Sequence, residues 1–310
     1  MATVGVAPVG GPLQVRGAPE EETLDVRHAT NPAESSRYST EERRAAYLVT
    51  DLFPPDTVRA VYSHADRVVV AGTGPVPGEP VPLPAFDPLR SAYFLERREL
   101  GVVNIGGPGL VQVDGAEYAL ENKDCLYVGR GAREVVFASA QPAEAAADSA
   151  YPAPAARFYL VSTAAHTAYP TKLVPHADAA GVTLGSAETS NDRTLYKYVH
   201  ADGVRSCQLV LGVTVLQKGS MWNTMPCHTH DRRTEVYMYF DLDPDHRIVH
   251  LMGRPDETRN IIVANGQAVI SPSWSVHCGV GTSNYAFVWA MAGENQAFDD
   301  MDMVAIPAMR

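Results

Sequence analysis

Residues 226–235 read PCHTHDRRTE, and further along residues 266–277 read GQAVISPSWSVH. On a β-strand alternate side chains share a face, so His228 and His230 point one way while Cys227 and Thr229 point the other. Two imidazoles can therefore meet one ion. Glu235 has the opposite parity and joins them only if the chain turns or bulges between Asp231 and Thr234, where polar residues favour a turn. His277 must arrive from a distant strand. Three imidazoles and one carboxylate make a ligand set for a divalent cation. Apolar runs such as Val236 to Phe240 and Ala268 to Ile270 surround them, as strands carrying a buried site require.

The spacing H-x-H-x4-E, then G-x5-P-x-W-x2-H, resembles the two sequence motifs of the cupin superfamily, whose antiparallel barrel gathers three His and one Glu around a divalent metal. Trp222 and Trp274 stand where cupins carry Gly, Leu242 replaces the Gly after the Glu, and Gly281 replaces an Asn. These departures bear on turns and leave the ligand set intact.

Outward from this core the chain reads as β. Before it, apolar or alternating runs recur at Val58 to Tyr62, Arg67 to Val70, Tyr93 to Leu95, Gly101 to Ile105, Leu110 to Val113, Cys125 to Val128 and Val135 to Ala138. After Ala180 the pattern returns at Cys207 to Val215, Glu235 to Phe240, Arg247 to Met252, Thr258 to Val263, Gln267 to Ile270 and Tyr285 to Met291. Many short strands broken by turn signals predict barrels, and the second set predicts a second barrel. Asp124–Gly131 can be laid over Gln267–Trp274, which puts Glu134 where His277 stands, with no H-x-H before it. The first barrel is thus expected to hold no metal. One amphipathic helix is expected between Arg37 and Leu52, capped by Ser39 or Thr40 and closed before Pro54. The expected divisions are a disordered leader over 1–26, a first domain over 27–180 and a second, metal-carrying domain over 181–310. Gly72 to Pro88 and the Ala/Pro-rich Ala140 to Ala156 read as loops.

A formal net charge of −11 with a pI near 5.3 excludes nucleic acid and anionic membrane as natural partners, because phosphates repel such a surface. Four cysteines without C-x-x-C spacing form neither a metal knuckle nor a disulfide framework, so a reducing cytoplasm is expected, with Cys227 and Cys278 packed behind the site. No basic start leads into a continuous apolar core as in a signal peptide, and no stretch approaches the roughly 20 apolar residues of a membrane span.

Four further stretches closely resemble the 5-keto-4-deoxyuronate isomerase family, the 4-deoxy-L-threo-5-hexosulose-uronate ketol-isomerases of pectin breakdown: YFLERRELG (93–101), YPTK (169–172), WNTMPCHTH (222–230) and GENQAFDDMD (293–302). The likeness runs from about Asp25 to the C-terminus. It implies a mainly all-β protein of two cupin-like antiparallel β-barrel domains with a few short helices, assembled as a homohexamer. It also implies one Zn2+ per subunit on His228, His230, Glu235 and His277. The implied reaction takes a small-molecule uronate, 5-dehydro-4-deoxy-D-glucuronate, to 3-deoxy-D-glycero-2,5-hexodiulosonate. The same shell would serve an iron-dependent cupin dioxygenase or a non-catalytic sugar-binding bicupin. Glu294, Asp299 and Asp300 are candidate proton carriers, Arg193, Arg232 and Arg233 candidate partners for a substrate carboxylate, and Trp222 and Trp274 candidate walls.

Overall fold

The computed structural model describes residues 24–140 and 155–310. They form two β-barrels built to one plan. The first has a seven-stranded sheet in the order Leu24–Arg27, Arg59–Ser63, Val69–Thr73, Phe158–Ala164, Arg98–Asn104, Cys125–Val128, Lys172–Val174. The second has a seven-stranded sheet in the order Gly181–Leu184, Arg193–Val199, Val210–Leu216, Ala286–Gly293, Arg233–Phe240, Ala268–Ser271, Leu48–Val49. A four-stranded sheet closes each one, Gly109–Val113 and Val135–Ser139 lying at the centre of the first, Val276–Gly281 and Ile248–Arg254 at the centre of the second. Cys125–Val128 and Ala268–Ser271 occupy the same place in their sheets, as the internal likeness between Asp124–Gly131 and Gln267–Trp274 predicts.

The core explains why these strands are so uniformly apolar. Val61, Val103 and Val161 of the first large sheet share a cluster with Leu211, Val213, Val236 and Val288 of the second, so the two sheets pack face to face. Residues of opposite parity, such as Leu100, Val102 and Leu160, fill the first barrel. Tyr237, Phe287 and Trp289 fill the second. Strands buried on both faces need apolar residues at every position and lose the period of two. The sheets approach closely enough that a Cβ on Gly101 would stand 2.7 Å from Leu211 Cδ2.

One carboxylate sits in this interface. Glu99 is fully buried, and its Oε1 accepts the backbone N–H groups of Gln208 and Leu209, each at 2.8 Å. Its Oε2 accepts Cys207 N–H at 2.6 Å and the Tyr127 hydroxyl at 2.7 Å. Four donors replace the water lost on burial, and three of them belong to the second barrel, in the segment just before Val210–Leu216.

Several expectations change. Residues 24–26, expected to belong to a disordered leader, are instead part of a strand, because Leu24–Arg27 pairs parallel with Arg59–Ser63. Residues 1–23 and 141–154, which hold most of the leader and of the Ala/Pro-rich stretch, lie outside the described residues. The helix is Thr40–Tyr47, shorter than expected, with Ser39 and Glu42 forming a reciprocal capping box. Tyr47 and the following Leu48–Val49 join the second barrel, although the 27–180 boundary groups them with the first. The reason is apolar: Leu48 and Val49 complete the exposed edge beside Ala268–Ser271. Tyr93–Leu95 is no strand, since a 3-10 turn, Phe94–Glu96, occupies it. No helix among the described residues is long and apolar enough to cross a membrane.

Candidate metal centre

His228–Thr229 forms a two-residue strand, the chain turns at Asp231–Arg232, and Arg233–Phe240 begins the long strand that carries Glu235. Arg233 N–H donates to His230 carbonyl at 3.1 Å, which closes the turn. This reversal brings Glu235 round to the face of His228 and His230. Val276–Gly281 delivers His277 from the small sheet, where His277 pairs with Met252. All four side chains are buried.

Their donor atoms converge on one point. His228 Nε2 lies 3.1 Å from His230 Nε2 and 3.0 Å from His277 Nε2. Glu235 Oε2 lies 2.7 Å from the Nε2 atoms of His230 and His277 and 3.9 Å from that of His228. A tetrahedral ion with bonds of about 2.0–2.1 Å has donor-to-donor edges of roughly 3.3 Å, so the set fits a divalent cation. Among the described residues it is the one group of three or more His, Cys, Asp or Glu that converges in this way.

The protonation states suit that use. Burial pulls His228 down to about 4, leaving a neutral imidazole with a lone pair at neutral pH. Burial pushes Glu235 up, but the His277 and His230 imidazoles, each 2.7 Å from Oε2, outweigh it and hold the carboxyl well below its ordinary range. The far ring nitrogens are tethered, His230 Nδ1 at 2.7 Å from Asp300 carbonyl and His277 Nδ1 at 3.4 Å from Ser275 carbonyl, which directs Nε2 inward. Cys227 and Cys278 are buried behind the site, packed with Val276. All four cysteines are free thiols.

His228, His230 and Glu235 open on a cavity of about 230 Å³. Its polar wall includes Arg193, Thr214, Asn223, Thr224 and Tyr237, and its apolar wall includes Phe287, Trp289 and Phe298. Of the three arginines singled out in sequence, only Arg193 lines it, donating from Nη1 to Asn191 carbonyl at 2.9 Å and, among the described residues, to no carboxylate. Arg232 is paired with Asp300 and Asp302, and Arg233 is buried with its guanidinium on the Ala297 and Asp300 carbonyls. None of the three candidate acids lines the cavity. Glu294 faces a separate groove beside Arg232, and Asp300 is held by Arg232 and Asn295. Trp222 and Trp274 do not line it either, and Trp274 instead donates to Thr30 carbonyl at 3.3 Å. Trp289 takes the wall, and the alternation Phe287, Trp289, Met291 along one strand face was the signal for it. Tyr237 also escaped sequence reading. Its hydroxyl lies 2.9 Å from Thr224 Oγ1, and burial together with the charge on Glu235 raises it well above its ordinary value.

The model of the KduI/IolB family matches residues 88–306. The chain belongs to the KduI/IolB family. It is 51% identical over 287 residues to the 4-deoxy-L-threo-5-hexosulose-uronate ketol-isomerase of Halalkalibacterium halodurans, with 93% of this chain and 100% of the relative covered. The protein of the same name from Kineococcus radiotolerans is 55% identical over the same spans. Among solved structures, an iolb-like protein from Salmonella typhimurium superposes with a TM-score of 0.64 at 13% identity, covering 83% of this chain and 96% of that one. At that identity the likeness is one of fold.

Proposed function

We propose that this protein is a 4-deoxy-L-threo-5-hexosulose-uronate ketol-isomerase, converting 5-dehydro-4-deoxy-D-glucuronate to 3-deoxy-D-glycero-2,5-hexodiulosonate. One observation carries the reading: three of the four convergent donors, His228, His230 and Glu235, line one cavity with an uncommitted arginine, in a chain half identical to isomerases so named over their full length. His228, His230, Glu235 and His277 would hold one ion per chain. Several divalent metals accept such a shell, and zinc is the one implied by the family resemblance. When bound, the ion supplies Lewis acidity toward a carbonyl and its neighbouring hydroxyl.

The chain's own residues supply the rest. Arg193 is the one Lys or Arg among the residues lining the cavity, and its planar guanidinium suits bidentate capture of the substrate carboxylate. That contact fixes which end of the substrate faces the donors. Tyr237 keeps its proton and donates to the oxygen on which enediolate charge develops. Glu235 is the one carboxylate lining the cavity. Its Oε2 faces the imidazoles and its low pKa suits it to hold a cation, so the proton would be carried from one carbon to the next by a group outside the four donors. The same reading takes the protein as a cytoplasmic homohexamer, and exposed Val182, Leu184 and Ile306 offer apolar surface for subunit contacts.

The test is anaerobic incubation of zinc-replete protein with unsaturated uronate breakdown products in deuterated water, followed by NMR. Isomerisation with deuterium on the carbon that receives the proton is expected. Absence of product, or a requirement for oxygen, contradicts the reading.

A further inference from the structure

The first barrel has a mouth of its own. Arg98 stands two residues before Leu100, as Arg233 stands two before Glu235, and the flanking partners match: Ala164 beside Arg98, Gly293 beside Arg233. Both guanidiniums are buried. Arg233 has Glu235 and Asp300 nearby to balance its charge. Arg98 has no acid among its partners: Nε donates to Ser162 Oγ at 3.0 Å, and Nη2 donates to the carbonyls of Ser162 and Arg67. Among the described residues its Nη1 makes no hydrogen bond. Burial pulls Arg98 down to about 10, so it remains a cation at neutral pH.

This unbalanced charge borders a cavity of about 190 Å³. Arg67 and Arg97 also line it, Tyr62, Leu89 and Phe94 form apolar walls, and no carboxylate is among the lining residues. Arg97 is largely exposed and its contact with Glu96 is long, at 3.9 Å. Ser91, another lining residue, has a buried Oγ with no hydrogen-bond partner among the described residues. Three cations around a cavity lined by no acid are unexpected in a chain of net charge −11, and a buried cation without a counter-charge is unfavourable unless something supplies one.

We propose that the mouth of the first barrel is a binding site for a small organic anion, its carboxylate or phosphate seated on Arg67, Arg97 and Arg98, its body against Tyr62 and Phe94. Ser91 Oγ would hydrogen-bond the head group. The cavity is smaller than the ~300–1,000 Å³ of drug-sized sites, which limits the body to roughly a single sugar ring. The inference is independent of the reaction in the second barrel.

Calorimetric titration of the full-length, zinc-loaded protein tests it, with D-glucuronate and glucose 6-phosphate as separate probes and glucose as the uncharged control. One or both anions should bind where glucose does not, and which one binds distinguishes a carboxylate ligand from a phosphate ligand. In a variant carrying Arg67→Ala and Arg97→Ala, both exposed positions, affinity at this site should fall tenfold or more while isomerase turnover is unchanged. Ser91→Ala should lower affinity several-fold without altering charge. Failure of both anions to bind at millimolar concentration, or equal binding by the double variant, overturns the proposal. Glucuronate binding that survives the double variant belongs to the metal cavity, and it overturns the proposal unless glucose 6-phosphate binds the parent and is lost in the double variant.

Discussion

The two barrels share a strand order and differ at their mouths. Leu100 lies between Val128 and Ser162, while Glu235, its counterpart, lies between Ser271 and Met291. Ahead of Glu235 run His228, His230 and a turn, whereas ahead of Leu100 runs the 3-10 turn Phe94–Glu96. The sequence alignment sets Glu134 against His277, and Glu134 is exposed, its backbone N–H on Asp114 Oδ1. One architecture therefore presents a buried cluster of lone pairs in one copy and a cluster of arginines in the other. The barrel supplies positions, and a few residues at its mouth decide what charge those positions hold.

Replacing the proposed ligands should break this contrast most severely. His228→Ala or His277→Ala should lower turnover by about 10³-fold or more, since a Lewis acid is worth several kcal/mol in the transition state. Leu100→Ala, at the matching place in the first barrel, should leave metal content and turnover unchanged and cost about 2–5 kcal/mol of stability. Loss of turnover there as large as in the histidine variants would show that the barrels do not divide the work in this way.

Arg193→Met should raise KM and lower kcat/KM by roughly 10–100-fold, the range for a charged hydrogen bond. Arg232→Met should have little effect, because Arg232 is engaged with Asp300 outside the cavity. Steady-state kinetics on both variants sharpens the choice among the three arginines.

The interface between the barrels rests on Glu99. Glu99→Leu leaves three backbone N–H groups without their acceptor and should destabilise by about 3–5 kcal/mol, read as a lowered denaturant midpoint. A midpoint within error of the parent would remove Glu99 from the account.

A smaller effect is expected from His250, which burial pulls down to about 3 and whose Nδ1 meets the Tyr239 hydroxyl at 2.7 Å. Below about pH 6.5 the unfolded chain takes up a proton that the folded His250 refuses. Stability should therefore fall as pH drops toward 3, by ~1 kcal/mol per unit from this group. His250→Phe should flatten that slope relative to the parent while losing some stability at every pH, because Tyr239 loses a partner. An unchanged slope in paired denaturation curves would assign the acid sensitivity elsewhere.

Much of the site was legible because His228, His230 and Glu235 lie within one short stretch, where strand parity and a turn decide their geometry. The fold was legible through its short apolar runs. Phe158–Ala164 and Arg193–Val199, both interior to their sheets, were not recognised, because strands buried on two faces or half-buried at a sheet's flank lose clean alternation. The role of Glu99 was hidden for another reason. Its partners Cys207 to Leu209 lie far along the chain, and nothing local marks a carboxylate whose donors are backbone amides across an interface. The separation of Arg193 from Arg232 and Arg233 likewise depends on acids brought near by folding, Asp300 above all.

The second barrel alone is predicted to carry the metal, held by its four convergent side chains. Elemental analysis of the purified parent beside His277→Ala tests this most directly. One zinc per chain in the parent and none in the variant is the predicted result, and two metals per chain, or one retained after the substitution, would contradict it.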